Sequence, residues 1–113
     1  MRKTDKKIDN QLRIALTAVC ETALKEIDGF QWITHIANYS NFPKSLRVIC
    51  IFNTNEELST FMSGDGEKSL TLLIESKLNT MGVRFKSVAA HISYDTEENC
   101  TKENNGNWAI RLG

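Results

Sequence analysis

Apolar residues recur at helical spacing over residues 5 to 28. They follow intervals of three, four and one, and the set is Ile8, Leu12, Ala15, Leu16, Val19, Cys20, Ala23, Leu24 and Ile27. This spacing places them on one stripe of an amphipathic helix, which predicts a helix that packs against the rest of the fold. Thr4 is positioned to cap this helix, and Gly29 is positioned to end it.

Two stretches with the composition of β-strands follow. FQWITHIANY (30–39) is rich in β-branched and aromatic residues, and LRVICIFN (46–53) comes after the turn NFPKS. We predict two antiparallel strands joined by this loop. Apolar side chains alternate to one face of the second strand, and Ile49 and Ile51 make its other face apolar too. The second strand should therefore be central and covered on both sides.

A helical pattern returns after residue 53. Thr54 and Glu57 fit a capping box, which predicts a short helix to about Met62 with Leu58, Phe61 and Met62 buried. Gly64 should end this helix and Gly66 should let the chain turn into the next one. That next helix is indicated by a second apolar stripe and a terminal Gly82; the stripe consists of Leu70, Leu73, Ile74, Leu78 and Met81.

The remaining pattern predicts a third strand and a short tail. VRFKSVAAHISY (83–94) alternates with a slip between Phe85 and Val88, where we expect a bulge. Asp95 and Glu98 fit a second capping box. WAIRL (108–112) follows the turn NNGN and is interpreted as a short last strand, with one side formed by Trp108, Ile110 and Leu112.

The predicted order is helix, strand, strand, helix, helix, strand and a C-terminal tail. It indicates an α+β fold with its helices on one face of a small, mainly antiparallel sheet. The chain of 113 residues fits a single domain, 1–113. Residues 1–4 and part of 95–107 are expected to be flexible.

Charge is balanced over the chain but not along it. Fourteen Lys and Arg residues match fourteen Asp and Glu residues, which argues against a strongly electrostatic nucleic-acid binder. Residues 1–13 nevertheless have five cations and two carboxylates, a balance of +3, while residues 95–105 have one cation and four carboxylates, a balance of −3. The first segment suits phosphate and the second would repel it; two solvated ends are the alternative.

Cysteine usage and hydropathy point to the cytoplasm. No segment has the apolar length of a signal peptide or membrane span, so we expect a cytoplasmic protein with no membrane contact. Cys20, Cys50 and Cys100 are odd in number and far apart, which predicts neither a disulfide framework nor a metal site. Cys100 lies among acidic residues and is the thiol we expect to be exposed.

No set of residues indicates catalysis or a cofactor. The chain contains none of the nucleophile-elbow, zinc-protease, P-loop or dinucleotide motifs. His35 and His91 each lie in a predicted strand, where a structural histidine and a general base are both open interpretations. The carboxylate pairs at Glu56-Glu57 and Glu97-Glu98 suit helix N-termini. We therefore expect a protein that is not an enzyme and binds no metal or cofactor.

Two aromatic residues lie beside cations. Phe42 is near Lys44, and Phe85 lies between Arg84 and Lys86. Exposed aromatic rings flanked by cations can stack on nucleic-acid bases, although aromatic residues in strands also serve as core.

The element order over residues 5–94 resembles that of type II KH domains and is similar to the small KH-like ribosome-binding factors of bacteria. In KH domains a GxxG turn between paired helices clamps nucleotides. The corresponding place here holds Ser63-Gly64-Asp65-Gly66-Glu67, with GxG spacing and two carboxylates. The resemblance implies a KH-like shape without phosphate binding at this turn.

Three segments resemble a second group of proteins. MRKTDKKIDNQLRIALTAVCE, GFQWITHIANYSNFPKSLRVICIF and GNWAIRL look like a small proteobacterial family of unknown role, sometimes labelled Fis-type transcriptional regulators. Fis-type DNA binding depends on a C-terminal helix-turn-helix. This chain ends instead in NNGNWAIRLG, so no DNA-contacting residues are assigned from that label.

Two functions from different classes follow from these observations. The first is a protein-interaction module or homodimer that uses an apolar helix face or a sheet edge, with Phe42 and Trp108 as candidate surface residues. The second is a KH-like protein associated with RNA or the ribosome. Its candidate nucleic-acid contacts are Lys3, Lys6, Lys7, Arg13, Lys44, Arg84 and Lys86.

Overall fold

The chain folds with the predicted order of helices and strands. A computed structural model describes residues 2–113, so Met1, part of the expected flexible start, lies outside the described residues. The α+β class and the order of the first six elements are confirmed. The elements are α1 (Lys3–Glu26), β1 (Phe30–Ile36), β2 (Arg47–Phe52), α2 (Asn55–Ser63), α3 (Gly66–Thr80), β3 (Ile92–Thr96), α4 (Glu97–Asn104) and α5 (Trp108–Leu112), with short 3-10 helices at Tyr39–Asn41 and Val88–His91.

The sheet is mixed rather than mainly antiparallel. Its strand order is β1-β2-β3, so β2 is central as predicted. β1 pairs with β2 antiparallel, and β2 pairs with β3 parallel. The parallel pair arises because α2 and α3 carry the chain from the end of β2 back to its start before β3 begins.

The main core lies between one face of this sheet and the pair α1 and α3. Val48, Cys50 and Phe52 of β2 point into it and are completely buried. Most of the two predicted apolar stripes covers them, with Leu12, Leu16, Val19, Ala23, Leu70, Ile74 and Leu78 in the same cluster. Leu24 of the predicted α1 stripe is the exception, because it is 54% exposed. Burial of this apolar surface is the main term that holds the helices on the sheet.

The opposite face is covered by α5, so the helices do not all lie on one face. Trp32, Ile51 and Asp95 are register partners across the three strands, and their side chains share that face. The Trp108 ring lies 5.0 Å from the Trp32 ring, and Arg111 Nε lies 2.6 Å from an Asp95 oxygen. With both ends of the row covered in this way, Ile51 is fully buried between them.

The prediction of a strand at WAIRL is wrong because these residues form α5. Asn105 and Gly106 reverse the chain at φ values of 52° and 78°, and the Asn107 side chain then accepts a hydrogen bond from Ile110 N. Helical spacing lets Trp108 and Arg111 reach the sheet together, whereas alternation would have separated them.

The third strand is shorter than predicted. β3 includes only Ile92–Thr96, and residues 88–91 form a 3-10 helix instead of strand. His91 accounts for this, because its Nδ1 lies 2.8 Å from the Leu46 carbonyl oxygen and its ring stacks on Phe85 at 3.8 Å. The prediction of a bulge near Phe85 is also wrong, because residues 83–91 form no strand.

Two predicted helix caps are wrong by one or two positions. α1 begins at Lys3 with Arg2 at the cap position and no side-chain cap, so Thr4 lies inside the helix. At α4 the cap is Thr96 rather than Asp95, because the Thr96 hydroxyl accepts the hydrogen bond from Asn99 N. The Thr54 cap of α2 is confirmed by the hydrogen bond from Glu57 N, at 3.1 Å.

The glycine-containing turn links α2 to α3 through close packing. Gly64 caps the end of α2 as predicted, but Gly66 is the first residue of α3 rather than part of the turn. A Cβ atom on Gly66 would lie 2.8 Å from the Phe61 ring. Glycine is therefore suited to this position because the buried Phe61 ring approaches the backbone.

Two predictions of burial are wrong. Met62 is 41% exposed, because Phe61 occupies the core-facing position of α2. Cys100 is fully buried instead of exposed, since α4 turns its one apolar residue inward. Burial raises the pKa of the Cys100 thiol, which opposes thiolate formation.

Candidate interaction edge and charged ends

One edge of the sheet is formed by β1, which pairs only with β2 on its inner side. Its seven residues, FQWITHI, contain no proline, lysine, arginine or carboxylate. Proline and charged residues are what proteins commonly place on exposed edge strands to block pairing with other chains. A single irregularity between Phe30 and Trp32 leaves the strand regular from Trp32 to Ile36. β1 therefore presents a regular, uncharged strand that can pair with another.

A groove of about 450 Å³ runs between α1 and β1 along this edge. It is lined by Asp9, Arg13, Leu16, Thr17, Cys20 and Glu21 of α1 and by Ile33, Thr34 and His35 of β1. The helix thus lies directly beside the free edge, and any strand that pairs with β1 would also contact α1.

A charged cluster closes one end of the groove. Asp9 Oδ1 accepts a 2.5 Å hydrogen bond from the Tyr39 hydroxyl and lies 2.9 Å from His35 Nε2. Arg13 Nε lies 2.9 Å from the other carboxylate oxygen. This cluster ties the first third of α1 to the end of β1.

These contacts shift the pKa values of the cluster. The hydrogen bonds from Tyr39 and His35 hold the pKa of Asp9 below its usual range, while burial and then Asp9 raise the pKa of Tyr39. Asp9 is therefore ionised at neutral pH. Since its folded pKa is lowered, it stabilises the fold above the unfolded pKa of about 3.9, and this contribution disappears as the pH falls through the folded pKa.

Cys20 lies further along the groove. Burial raises the pKa of its thiol, and a hydrogen bond from the Ile33 backbone partly offsets the increase. The Ile33 N–H therefore lies near the Cys20 thiol of α1. A sulfur atom is a weak acceptor, so a strand carbonyl would be a stronger partner for this N–H.

The flank of α1 beside the groove also exposes apolar surface. Arg13, Thr17, Cys20 and Leu24 follow one another at helical spacing, and the first three line the groove. Leu24 is 54% exposed, and Ile36 at the end of β1 is 37% exposed. Apolar side chains thus lie at both ends of the free edge.

The structure gives the two predicted surface residues, Phe42 and Trp108, partners within the chain. The Phe42 ring is partly buried 5.8 Å from the Tyr39 ring. The Trp108 ring packs edge-on against Trp32. The free edge of β1, by contrast, has no strand paired with it on its outer side.

Glu97 accepts hydrogen bonds from both tryptophan indoles. Its Oε1 lies 2.7 Å from Trp32 Nε1 and 3.0 Å from Trp108 Nε1. This contact fixes α5 against β1. The sequence carried no signal for it, because Trp32 and Glu97 are 65 positions apart.

The seven predicted nucleic-acid contacts gather at one end of the sheet, which we call the basic end. It is the end where β1 finishes and where β2 and β3 begin. The Asp9–Tyr39 hydrogen bond brings the start of α1 there, with its lysines and Arg13. Phe85 stacks on His91, which bonds to Leu46, so Arg84 and Lys86 lie close to the Lys44 loop.

Carboxylates gather at the opposite end, which we call the acidic end. Glu26 of α1 and Asp28, which follows the helix, line a groove there with Glu56, Glu57 and Gly66. Glu98 also lies at this end, where it accepts a hydrogen bond from Asn55 N at 2.9 Å. Gly66, the first residue of α3, therefore lies beside several carboxylates, and Asp65 adds another. The chain has no net charge, but its charge is separated along the molecule.

Comparisons of the chain with protein-family models, curated proteins and solved structures find no significant match. Within residues 2–113, no helix has the length and apolar character needed to cross a membrane. The same residues contain no cluster of three or more His, Cys, Asp or Glu side chains suited to a metal ion. The surfaces described above are therefore the basis for a functional proposal.

Proposed function

We propose that the protein is a non-enzymatic, cytoplasmic protein-interaction module that pairs a strand of its partner with the free edge of β1. The observation that carries this proposal is the uncharged, proline-free edge strand beside an open groove. An extended segment added to a sheet edge gains main-chain hydrogen bonds, and its side chains enter neighbouring pockets.

The flank of α1 supplies the apolar contacts that backbone hydrogen bonding alone does not provide. Two-stranded pairing is marginal in water unless apolar contacts accompany it. Leu24 and the groove wall offer such contacts next to β1, and Ile36 offers one at the strand's end. The proposal therefore requires contact with both the strand and the helix.

Photo-crosslinking residues placed at Leu24, Ile36 and Leu72 test this proposal in cells that express the protein. We expect covalent protein adducts from positions 24 and 36 and none from position 72. Leu72 is a matched control, because it is also a helical leucine and is 56% exposed against 54% for Leu24. Adducts only at position 72, or at none of the three positions, would contradict the proposal.

A second candidate function is supported by the convergence of cations at the basic end. Here the protein would bind RNA through phosphate contacts made by Lys3, Lys6, Lys7, Arg13, Lys44, Arg84 and Lys86. Its KH-like element order supports RNA, although the acidic surroundings of the glycine-containing turn would exclude phosphate there.

Fluorescence anisotropy with single-stranded RNA across a salt series tests the second candidate. Replacing Lys44, Arg84 and Lys86 with alanine should make the negative slope of log K, the RNA association constant, against log salt concentration shallower by about 2. Lys102→Ala, in the acidic segment, should leave the slope unchanged. Failure of the wild-type chain to bind at about 50 mM salt would exclude this function.

A further inference from the structure

We infer that the strand paired with β1 comes from a second copy of this chain, related by a two-fold axis that passes beside Thr17 and Thr34. This inference rests on the proposed function, since it names the partner of the same edge. In a two-fold interface the same surface of both subunits is in contact, and each copy runs in the opposite direction to the other. That surface must therefore be complementary to its own rotated copy in charge and shape. Both the charge of α1 and the composition of β1 meet this condition.

The segment formed by α1 and the turn that follows it has a positive first half and a negative second half. Residues 3–16 contain four cations and two carboxylates, a balance of +2, while residues 17–28 contain one cation and three carboxylates, a balance of −2. When two such helices lie side by side and antiparallel, each positive half meets a negative half. A parallel pair would place like charges together. The charge pattern thus selects the antiparallel arrangement that a two-fold axis produces.

An axis beside Thr17 also matches individual residues. It places Arg13 opposite Glu21 of the partner subunit. Arg13 and Glu21 both line the groove, and the Arg13 side chain is 72% exposed. Its ion pair with Asp9 uses Nε, so the terminal nitrogens of the guanidinium can reach the partner's Glu21.

The same axis suits the strand. Thr34 lies in the groove with Thr17, so a single axis can pass beside both residues. Antiparallel pairing about Thr34 places Trp32 opposite Ile36 of the partner subunit and Ile33 opposite the partner's His35. The strand has no side chain that is always charged, so these pairings bring no fixed like charges together. The exposed Ile36 would gain an aromatic neighbour.

The dimensions of the two layers agree. Residues 13–21 of α1 extend about 12 Å, and the regular part of β1, Trp32–Ile36, extends about 13 Å. Helix and strand contacts can therefore form over the same length. The product is a continuous six-stranded sheet with two adjacent α1 helices on one face. A foreign strand could pair with β1, but it would leave the charge pattern of α1 unmatched.

Charge reversal across the axis tests the inference by sedimentation velocity of the purified chain at several concentrations. Wild type should form a dimer. Arg13→Glu and Glu21→Arg should each weaken the dimer at least about tenfold, because each creates two like-charge contacts. The double variant R13E/E21R should restore dimerisation to within about threefold of wild type.

Lys102→Glu is the control, since Lys102 is also a helical cation with a side chain that is 68% exposed. It should not change the dimer. Arg13→Glu also removes the ion pair with Asp9, but Glu21→Arg leaves that cluster intact and keeps the test valid if the first variant unfolds. Dimerisation that persists in Glu21→Arg, or no restoration by a folded double variant, would overturn the inference.

Failure of this inference can be distinguished from failure of the proposed function. A wild-type chain that remains monomeric overturns the dimer. If positions 24 and 36 then crosslink to a different protein, the edge retains its proposed function with another partner. If they crosslink to nothing, both proposals fail.

Discussion

Replacing Gly29 with alanine is expected to destabilise the folded chain by about 3 kcal/mol. Gly29 has φ of +84°, a region that side chains with a Cβ adopt only with strain. A Cβ here would also lie 2.6 Å from the Cβ of Glu57. Glu57 cannot easily move, because its backbone N–H and carboxylate both bond to the Thr54 hydroxyl. Urea unfolding of the variant and wild type measures the loss.

Gly82→Ala separates the two causes. Gly82 has nearly the same φ, +85°, but an added Cβ would meet no atom within 4 Å. We therefore expect a loss of only about 1–2 kcal/mol from backbone strain. Equal losses of stability in the two variants would show that Glu57 can move to make room for a Cβ at position 29. The packing of Gly29 against α2 would then contribute little to stability.

Thr96→Val is expected to destabilise the chain by about 2–3 kcal/mol while nearly preserving side-chain volume. Thr96 is fully buried, and its hydroxyl donates to Asn55 Oδ1 at 2.7 Å. The same hydroxyl accepts the capping hydrogen bond from Asn99 N at 3.0 Å. Valine removes both bonds at once and leaves the partly buried Asn55 Oδ1 and Asn99 N without these partners. Thermal and urea unfolding of the purified variant measure the effect.

Thr96→Ser is the matched control because it keeps the hydroxyl and removes one methyl group. Its expected loss is about 1 kcal/mol, the value of one buried methyl group. A serine variant less stable than the valine variant would mean that packing, rather than hydrogen bonding, holds α4 to the sheet.

Local periodicity was sufficient to predict the secondary structure and buried face of α1 and β2, because their own sequences show which residues are apolar. The burial of α1 was predicted except at Leu24, because its 24 residues repeat the pattern several times, and the burial of β2 was predicted because both of its faces are apolar. WAIRL was too short for this, since five residues satisfy helix and strand patterns equally. Its helical state depends on contacts with Trp32 and Asp95, which are distant in the sequence.

The candidate edge was only partly predictable. A hairpin of β1 and β2 with β2 central implied that β1 had a free side, but not that α1 would lie beside it. The contacts of Asp9 with His35 and Tyr39 join positions 26 and 30 residues apart. The position of Asp9, a carboxylate next to the apolar stripe of α1, indicated that it could be partly buried. Its partners His35 and Tyr39 could not be predicted from the sequence, because they lie in another element.

The sequence by itself determined the α+β class, the element order, the central strand and the unequal charge along α1, because periodicity and composition are local properties. Only the tertiary structure decided that β3 runs parallel to β2, that α5 covers the second face and that the cations gather at one end. It also placed the groove side of α1 beside the free edge of β1. These features depend on contacts between distant residues, whose free energies are set by packing and burial that no local pattern records.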